Sequence, residues 1–437
     1  MLLIYTNKQT NRLGYTFKLV FENLLGMDYA VTTDKQYFID YNGAKLSYGE
    51  DKICDELYIR TANDLLFDAT IYSIEISYFN DKGTPKIFRN YDDDNLGFDI
   101  FAATFYMVSR YEEYLPFIRD SHLRFGYKDS IAYKKGFLDK PVVNMWAEEL
   151  RKFLQQKYPN IQIKKREFNF INTIDIDQAW CYKGKSLYRN IGGVLRDIKQ
   201  KDWQSIKTRI RVLLSLEKDP WRSYDFIINE LKRHKLNTIF FVLYTFYDKW
   251  DKNVNVYNKD FQLLIKRLGD YGEIGLHPSY YSMENPSEID MSKRLLKAAI
   301  HKEIVLSRFH YLRFTLPESY RNLLEYGIKE DYSMGYSDCI GFRAGICTPY
   351  NFYDLDRDCE TNLLLHPFEI MDVAMKNALK FDVDKAKEHI GVIIDNIKSV
   401  GGEFVSVWHN ESLSDYGQWQ GWREVYDWQI KQLETDK

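Results

Sequence analysis

The sequence has few cysteines, and none of them has the spacing of a disulfide or zinc framework. The five are odd in number and never form a CxxC pair: Cys54, Cys181, Cys339, Cys347 and Cys359. This pattern argues against a disulfide-stapled fold or a zinc knuckle. A reducing compartment, the cytoplasm, is the expected location.

Long hydrophobic runs are also missing. The start, MLLIYTNKQTNR, has only five apolar residues before polar ones, too few for the apolar region of a signal peptide. The longest other apolar stretch, residues 238–247, is too short to span a bilayer. We therefore expect neither a secretory signal nor a transmembrane segment.

No charge of one sign dominates, and several common catalytic motifs are absent. Sixty basic residues against 63 acidic ones give a net charge of -3, so binding to nucleic acid is not expected. The chain contains no GxxxxGK[ST], GxGxxG, HExxH or GxSxG motif, which excludes the phosphate loops, dinucleotide folds, helical zinc proteases and serine-hydrolase elbows that carry them.

What is present is a chain of 437 residues with 45 % hydrophobic content, enough for two or three domains. Residues 1–165 predict a smaller α/β domain of unknown role, with a strand at LLIYT and a helix over residues 11–26. Asn42-Gly43, flanked by alternating residues, predicts a β-hairpin, because both turn positions need positive φ.

From residue 166 to residue 437, strand-like runs alternate with helical ones. Such alternation implies parallel strands with crossover helices, hence a barrel or a doubly wound sheet. The predicted strands are residues 168–177, 238–245, 273–279, 310–315, 340–343, 362–370 and 403–410.

Ionisable residues recur where these strands end. Asp175 and Asp177 stand two apart, so in an extended chain both point to one face. In parallel barrels the carboxyl ends of the strands converge on one mouth. The other ionisable residues at such positions are His277, Arg313, Arg343, His366, Glu369, Asp372 and His409.

These residue types suit a metal-dependent hydrolase. A catalytic zinc usually takes three protein ligands and a water, and Asp177 with His277 would supply two of the three. Asp175, left off the metal, would then take a proton from the activated water.

The chain resembles the polysaccharide deacetylases, the NodB-like enzymes of carbohydrate esterase family 4, over residues 166–412. TIDID looks like the family's first motif, HPSYYS matches the first histidine of the second, and FRAGICTPY is a stretched form of the third. HPFEIMD offers the carboxylate of the fourth motif, and SVWHN the histidine of the fifth. All five occur in the family's order.

The resemblance implies a distorted (β/α) barrel of about seven parallel strands that removes acetyl groups from N-acetylated sugars or glycans with a divalent metal ion, expected to be Zn²⁺. Asp175 would be the catalytic base and His409 the catalytic acid. Arg343 would orient Asp175, and either Asp372 or Glu369 would tune His409. Asp177 and His277 would bind the metal.

One departure concerns the third metal ligand. The family places a second histidine four residues after the first, and this chain has Tyr281 there. His366, Ser282 and Tyr281 are the candidates to replace it. His366 is favoured, because it ends a predicted strand, whereas a hydroxyl is a poor zinc ligand. His310 begins its predicted strand and is expected near the opposite face.

Each of these residues also has a structural interpretation: an isolated pair such as Asp175 and Asp177 often caps a helix or binds loop N–H groups. The missing histidine favours an alternative function, a non-catalytic carbohydrate-binding or scaffold protein. Hydrolysis of another acyl amide or an ester is a third possibility. A cytoplasmic location favours a nucleotide-linked or lipid-linked glycan precursor as substrate. Aromatic faces that would suit a sugar ring are those of Trp180, Tyr280 and Trp408.

Overall fold

The first part of the chain contains a small parallel sheet. The computed structural model describes residues 1–90 and 96–434. The order in this sheet is β2-β1-β3-β4 and all neighbours are parallel. Its strands are β1 (Leu2–Thr6), β2 (Tyr29–Thr32), β3 (Ala44–Gly49) and β4 (Leu57–Arg60).

The hairpin predicted around Asn42-Gly43 is wrong. The residues before this pair form a helix, α2 (Lys35–Asp40), whose first turn is capped by the Asp34 side chain. Strand β3 therefore follows a crossover helix and pairs with β1 in the parallel sense. The Asn-Gly pair links a helix to a strand instead of joining two antiparallel strands.

Helices and one hairpin complete residues 1–165. The predicted helix near the start is confirmed as α1, which continues as a π-helix over Lys18–Leu24. A hairpin joins β5 (Tyr78–Asp81) to β6 (Thr84–Ile87). The helices are α1 (Asn11–Phe17), α3 (Ile100–Val108), α4 (Ile131–Lys134) and α5 (Val142–Lys157), with single 3-10 turns at Tyr111–Glu113 and Tyr127–Asp129.

Nine strands within the described residues 166–434 form one sheet. Its order is β12-β13-β11-β10-β9-β8-β7-β15-β14, and only β12 runs antiparallel to its neighbour. The strands are β7 (Asn169–Ile176), β8 (Thr238–Val242), β9 (Glu273–Leu276), β10 (Leu306–Ser307), β11 (Glu330–Asp331), β12 (Tyr350–Asp354), β13 (Cys359–Leu365), β14 (Ile370–Met371) and β15 (Glu403–His409).

Helices connect most of the parallel strands. They are α6 (Leu187–Lys199), α7 (Trp203–Leu213), α8 (Tyr224–His234), α9 (Lys259–Leu268), α10 (Ser287–Ile300), α11 (Glu318–Glu325), α12 (Val383–Val400) and α13 (Arg423–Glu434). Short turns lie at Tyr280–Met283, His310–Leu312, Ala374–Ala378, Ser412–Ser414 and Gly417–Trp419. Among residues 1–90 and 96–434, none of these helices has both the length and the apolar character to cross a bilayer.

The predicted parallel α/β architecture is confirmed, but a closed barrel of seven strands is not. Within the described ranges, the parallel run has eight strands, and its two ends, β13 and β14, do not pair. Only residues 366–369 join these ends, a link that reaches about 18 Å at most. Eight flat strands would span about 34 Å, so the sheet must curve strongly while staying open.

Two predicted strands are wrong, and one of these errors changes the position of His310 relative to its strand. Residues 310–315 do not form a strand, because Tyr311 and Leu312 have left-handed φ values of 59° and 50°. The strand is β10, which ends before them, and β11 occurs instead of the predicted strand at 340–343. His310 therefore follows a strand, at the same edge as the other strand-end residues.

A buried ion-pair network joins the first part of the chain to the large sheet region. The carboxylate of Glu113 accepts hydrogen bonds from Arg343 Nη2 at 2.7 Å and from Arg110 Nε at 2.7 Å. All three side chains are almost fully buried. Removing one partner from such a network leaves uncompensated buried charge, which costs more than the pair itself contributes.

We predict that Glu113→Ala lowers the free energy of unfolding by about 3–5 kcal/mol, because Arg343 loses its buried carboxylate and Arg110 keeps only Glu112. A matched control is Glu360→Ala, which removes the half-exposed pair with Lys18 and should cost less than about 1 kcal/mol. Urea unfolding followed by tryptophan fluorescence measures both values. Equal small losses would contradict the structural role of the Glu113 network.

Candidate metal centre

The carboxyl ends of four strands, within a run of five neighbours, bring the candidate residues together. Strands β15, β7, β8, β9 and β10 are consecutive in the sheet. Asp175 lies in β7, and Asp177 directly follows that strand. His277 follows β9, His310 lies three residues after β10, and His409 ends β15.

Asp177, His277 and His310 form a three-residue cluster with metal-ligand chemistry. His277 Nε2 lies 3.3 Å from Asp177 Oδ1, and His310 Nε2 lies 3.5 Å from Asp177 Oδ2. One ligand atom from each residue falls within 4.8 Å of the other two. Two imidazoles and one carboxylate are the donor set of many catalytic zinc sites.

The second nitrogen of each imidazole is fixed by a hydrogen bond. His310 Nδ1 lies 2.7 Å from Asp251 Oδ1, and His277 Nδ1 bonds the backbone carbonyl of Arg308. A carbonyl only accepts, so His277 Nδ1 must carry the proton, and Nε2 keeps its lone pair for a ligand. Outer partners of this kind orient metal-bound histidines in proteins.

The charge distribution also suits a cation. Burial opposes ionisation of Asp177, yet the charged His310 ring outweighs it and holds the pKa of Asp177 well below its ordinary value. Burial likewise opposes the charge on His310, but Asp177 and Asp251 raise the pKa of His310 to about 9. A divalent ion would replace the second proton that the charged His310 ring carries.

Asp177 also carries an unused acceptor. Its Oδ1 atom is buried, and no group in the described ranges donates a hydrogen bond to it. Buried polar atoms are normally paired, and a metal is one of the few partners that would complete this one. The donor set, the fixed ring nitrogens and this acceptor together fit a divalent metal ion.

Asp175 is paired with a different arginine from the one predicted. Arg308 Nη1 donates to Asp175 Oδ1 at 2.8 Å and to the Thr173 hydroxyl at 2.7 Å. Arg343 does not contact Asp175, because its guanidinium is held by Glu113 in the network described above. The prediction that Arg343 orients Asp175 is therefore corrected: Arg308 occupies that place.

His409 is paired with Asp372. His409 Nδ1 lies 2.7 Å from Asp372 Oδ1, and the backbone N–H of His409 donates to Asp372 Oδ2 at 2.7 Å. Burial alone would lower the pKa of His409, but Asp372 outweighs it and holds this pKa well above the ordinary value. Glu369, the other candidate partner, accepts from the backbone N–H of Val405 instead.

His366 lies outside the cluster, so its predicted metal role is corrected. Its Nδ1 is 2.8 Å from Glu403 Oε1, its Nε2 is 3.2 Å from Glu330 Oε2, and its ring stacks on Tyr332. The two ring nitrogens therefore face glutamate carboxylates, Nδ1 in a hydrogen bond and Nε2 in a close ion pair. Of the other candidates, Ser282 donates its hydroxyl to the backbone carbonyl of Ser279.

A cavity of about 530 Å³ opens onto the cluster. The aromatic side chains in its wall are Trp250, Phe309 and Tyr311, whereas the predicted Trp408 is fully buried. Arg124, from the first part of the chain, also lines the cavity and donates to the backbone carbonyl of Tyr311 at 2.5 Å. Residues 1–165 therefore contribute to the wall of the site.

Sequence reasoning missed four side chains of this site. His310 and Arg308 follow a two-residue strand that leaves no periodic signal, and Asp251 lies in the loop after β8. Glu411 lines the cavity beside His409, and burial raises its pKa to about 7. The sequence offered one signal for the third ligand, the presence of His310 a short distance after His277. The histidine between them, His301, caps the end of α10.

Comparisons with known proteins divide the chain into two regions. Residues 2–159 match the model of a family of unknown function, DUF7033. A search of curated proteins finds no match for the chain. Similar solved structures are proteins of the family that the sequence motifs resemble, the polysaccharide deacetylases.

Three of these structures illustrate the level of similarity. A protein described as a polysaccharide deacetylase from Mycobacterium smegmatis is 14 % identical, with a TM-score of 0.41, covering 62 % of this chain and 86 % of its own. A polysaccharide deacetylase from Bacillus cereus is 15 % identical, with a TM-score of 0.30 and coverages of 62 % and 88 %. A family 4 pseudoenzyme from Bacillus anthracis is 12 % identical, with a TM-score of 0.31 and coverages of 62 % and 61 %.

We predict that His310→Ala weakens zinc binding at least about 100-fold, since even the loss of an outer partner of a metal-bound histidine typically costs 10- to 100-fold. His366→Gln is the matched control, because it removes the other histidine proposed as third ligand, and it should bind zinc like the wild type. Isothermal titration calorimetry on the metal-free proteins measures both. Loss of zinc binding in His366→Gln, with retention in His310→Ala, would reverse the assignment.

Proposed function

We propose that this protein is a metal-dependent hydrolase that removes acetyl groups from N-acetylated sugars or glycans. The observation that carries the proposal is the convergence of Asp177, His277 and His310 beside two further groups suited to proton transfer, Asp175 and His409. The metal is proposed to be zinc. These residues would hold it through one carboxylate oxygen and two Nε2 atoms.

A bound zinc ion would supply Lewis-acid polarisation of the acetyl carbonyl and lower the pKa of a water molecule. The protein residues have other tasks. The fixed rings of His277 and His310 keep their Nε2 atoms aimed at Asp177, so that the site needs little reorganisation.

Asp175 is proposed as the general base. Its Oδ1 atom is occupied by Arg308, which leaves Oδ2 to receive a proton from the attacking water. Asp175 Oδ2 lies 3.9 Å from His277 Nε2, on the side of the metal cluster. Arg308 thus selects which oxygen of the carboxylate faces the reaction.

His409 is proposed as the general acid. Asp372 holds the Nδ1 side of the ring, so Nε2 is the nitrogen free to protonate the departing amine. His409 Nε2 lies 3.7 Å from Asp177 Oδ2, and His409 pairs in register with Asp175 on the neighbouring strand. The raised pKa of His409 favours the imidazolium that this step requires.

The cavity supports a small, partly polar substrate. Its volume of about 530 Å³ is in the range of small-molecule sites, and the faces of Trp250 and Tyr311 would suit the C–H faces of a sugar ring. The same chemistry would hydrolyse another acyl amide or an ester, so the acetylated sugar is the substrate class proposed from the family resemblance.

The alternative of a non-catalytic scaffold rested on Tyr281, which replaces the second histidine of the family. His310 is a candidate for the ligand that Tyr281 does not supply, and this supports the hydrolase over the scaffold. We also retain two further proposals. The five cysteines, all free thiols, support a cytoplasmic location. The match of residues 2–159 to one family supports a domain boundary near residue 165.

We predict that Asp175→Asn and His409→Ala each lower kcat/KM for acetate release from N-acetylglucosamine oligosaccharides by about 10²- to 10⁴-fold. Both variants should keep the zinc content of the wild type, since neither side chain is a proposed ligand. Acetate release is measured on the zinc-loaded protein by a coupled assay.

Asp356→Asn and His389→Ala are the matched controls, because Asp356 is half exposed and His389 stacks on Phe381, away from the cluster. Both should stay within about threefold of wild-type activity. A loss of less than about threefold in Asp175→Asn or His409→Ala, at unchanged zinc content, would exclude the proposed roles.

A further inference from the structure

Helix α6 turns an apolar face to solvent. Its exposed apolar side chains are spaced by three and four residues, so they form one stripe along the helix. Their exposed fractions lie between 45 and 89 %. These side chains are Leu187, Tyr188, Ile191, Leu195 and Ile198.

Helix α7, which packs on α6, does the same. Its exposed apolar side chains have exposed fractions of 46 to 65 %. They are Trp203, Ile210, Leu213 and the residue that caps the end of the helix, Leu214. Together, α6, α7, their connection and this cap (residues 187–214, the α6–α7 hairpin) expose far more apolar surface than the scattered residues of an ordinary surface.

The buried positions of the hairpin are mostly polar. Asp197 of α6 and Arg209 of α7 form a buried ion pair with an N–O distance of 2.7 Å. The guanidinium of Arg209 also lies over the ring of Tyr182, at 4.5 Å from its centroid. Asn190 of α6 is buried beside Arg209. This is the reverse of the usual pattern, in which helices bury apolar residues and expose polar ones.

The region around the hairpin is strongly basic. Residues 183–216 contain nine lysines and arginines and two aspartates, a net charge of +7. The whole chain carries -3, so the other residues together carry -10. A helix that combines exposed Trp and Leu side chains with a lysine- and arginine-rich flank is typical of helices that lie in the interface of an anionic membrane.

The hairpin lies next to the candidate metal centre. Only nine residues separate Asp177 from the first residue of α6. Arg189 of α6 donates to the backbone carbonyl of Asn253 at 2.8 Å, and the neighbouring Lys252 lines the metal-site cavity. A surface bound to the hairpin would therefore lie close to the cavity.

We propose that the α6–α7 hairpin docks the protein on an anionic lipid surface, with its apolar stripes in the headgroup region and its basic residues on the lipid charges. The charge argues against a second copy of this chain as the occupant. A two-fold interface would set the same +7 region against itself, and like charges facing each other oppose association. This inference is independent of the proposed catalytic activity, because it concerns binding alone.

The test is co-sedimentation of the full-length protein with lipid vesicles. Vesicles of phosphatidylcholine with 30 mol% phosphatidylglycerol should bind the wild type at least about tenfold more tightly than vesicles of phosphatidylcholine alone, and 0.5 M salt should weaken the binding. The double variant Leu195→Glu/Leu214→Glu should lose at least about tenfold in affinity. Both positions are exposed, so the fold should tolerate the change.

The matched control is Ile39→Glu/Val392→Glu, which places the same two charges on exposed apolar positions of α2 and α12 and should bind like the wild type. Absence of wild-type binding to both kinds of vesicle would overturn the proposal. So would a wild-type dimer in light scattering that Leu195→Glu/Leu214→Glu converts to a monomer without any effect on vesicle binding. Asp175→Asn should bind vesicles normally, which separates this result from the fate of the proposed activity.

Discussion

The carboxylate of Asp177 lies among three imidazole rings, and most of the surrounding side chains serve to fix those rings. His277, His310 and His409 each present Nε2 to this carboxylate, at 3.3, 3.5 and 3.7 Å. Each ring is held from behind by a different acceptor: the Arg308 carbonyl, Asp251 and Asp372 respectively. A site this constrained needs little reorganisation to take up a cation or to transfer a proton.

The carboxylates of Asp175 and Asp177 have different surroundings, and this difference suits them to different roles. Asp175 is almost fully buried and is tied to Arg308, whereas Asp177 is partly exposed and faces the histidines. In an isolated strand the two would simply repel each other. Here one is oriented by a cationic side chain and the other faces the histidines, which is the division that the proposed base and the proposed metal ligand require.

The sequence was sufficient to predict the parallel α/β architecture and the residues that end long strands. Asp175, Asp177, His277 and His409 lie at one edge of the sheet because β7, β9 and β15 are regular apolar strands with clear ends. His310 was predicted at the wrong end of a strand. The true strand, β10, has only two residues, and the left-handed Tyr311 and Leu312 interrupt the segment whose pattern predicted a strand. Whether so short a segment forms a strand depends on pairing with the rest of the sheet, and not on its local sequence pattern.

Dependence on the assembled fold also explains why Arg343 was predicted to contact Asp175 when Arg308 does. Arg343 lies in a loop whose only recognisable feature is a stretched motif, and its true partner, Glu113, is 230 residues away in the chain. Arg308 gives no motif at all, although its side chain is completely buried against Asp175. Ion pairs between distant segments depend on the assembled fold, so a single sequence cannot rank the two arginines.

The most direct test of the central claim is a crystal structure of the protein soaked with zinc, with anomalous data collected at the zinc absorption edge. We predict one strong peak within about 2.0 to 2.2 Å of His277 Nε2, His310 Nε2 and an oxygen of Asp177. A zinc ion bound at His366 in place of His310, or no peak between Asp177 and His277, would contradict it.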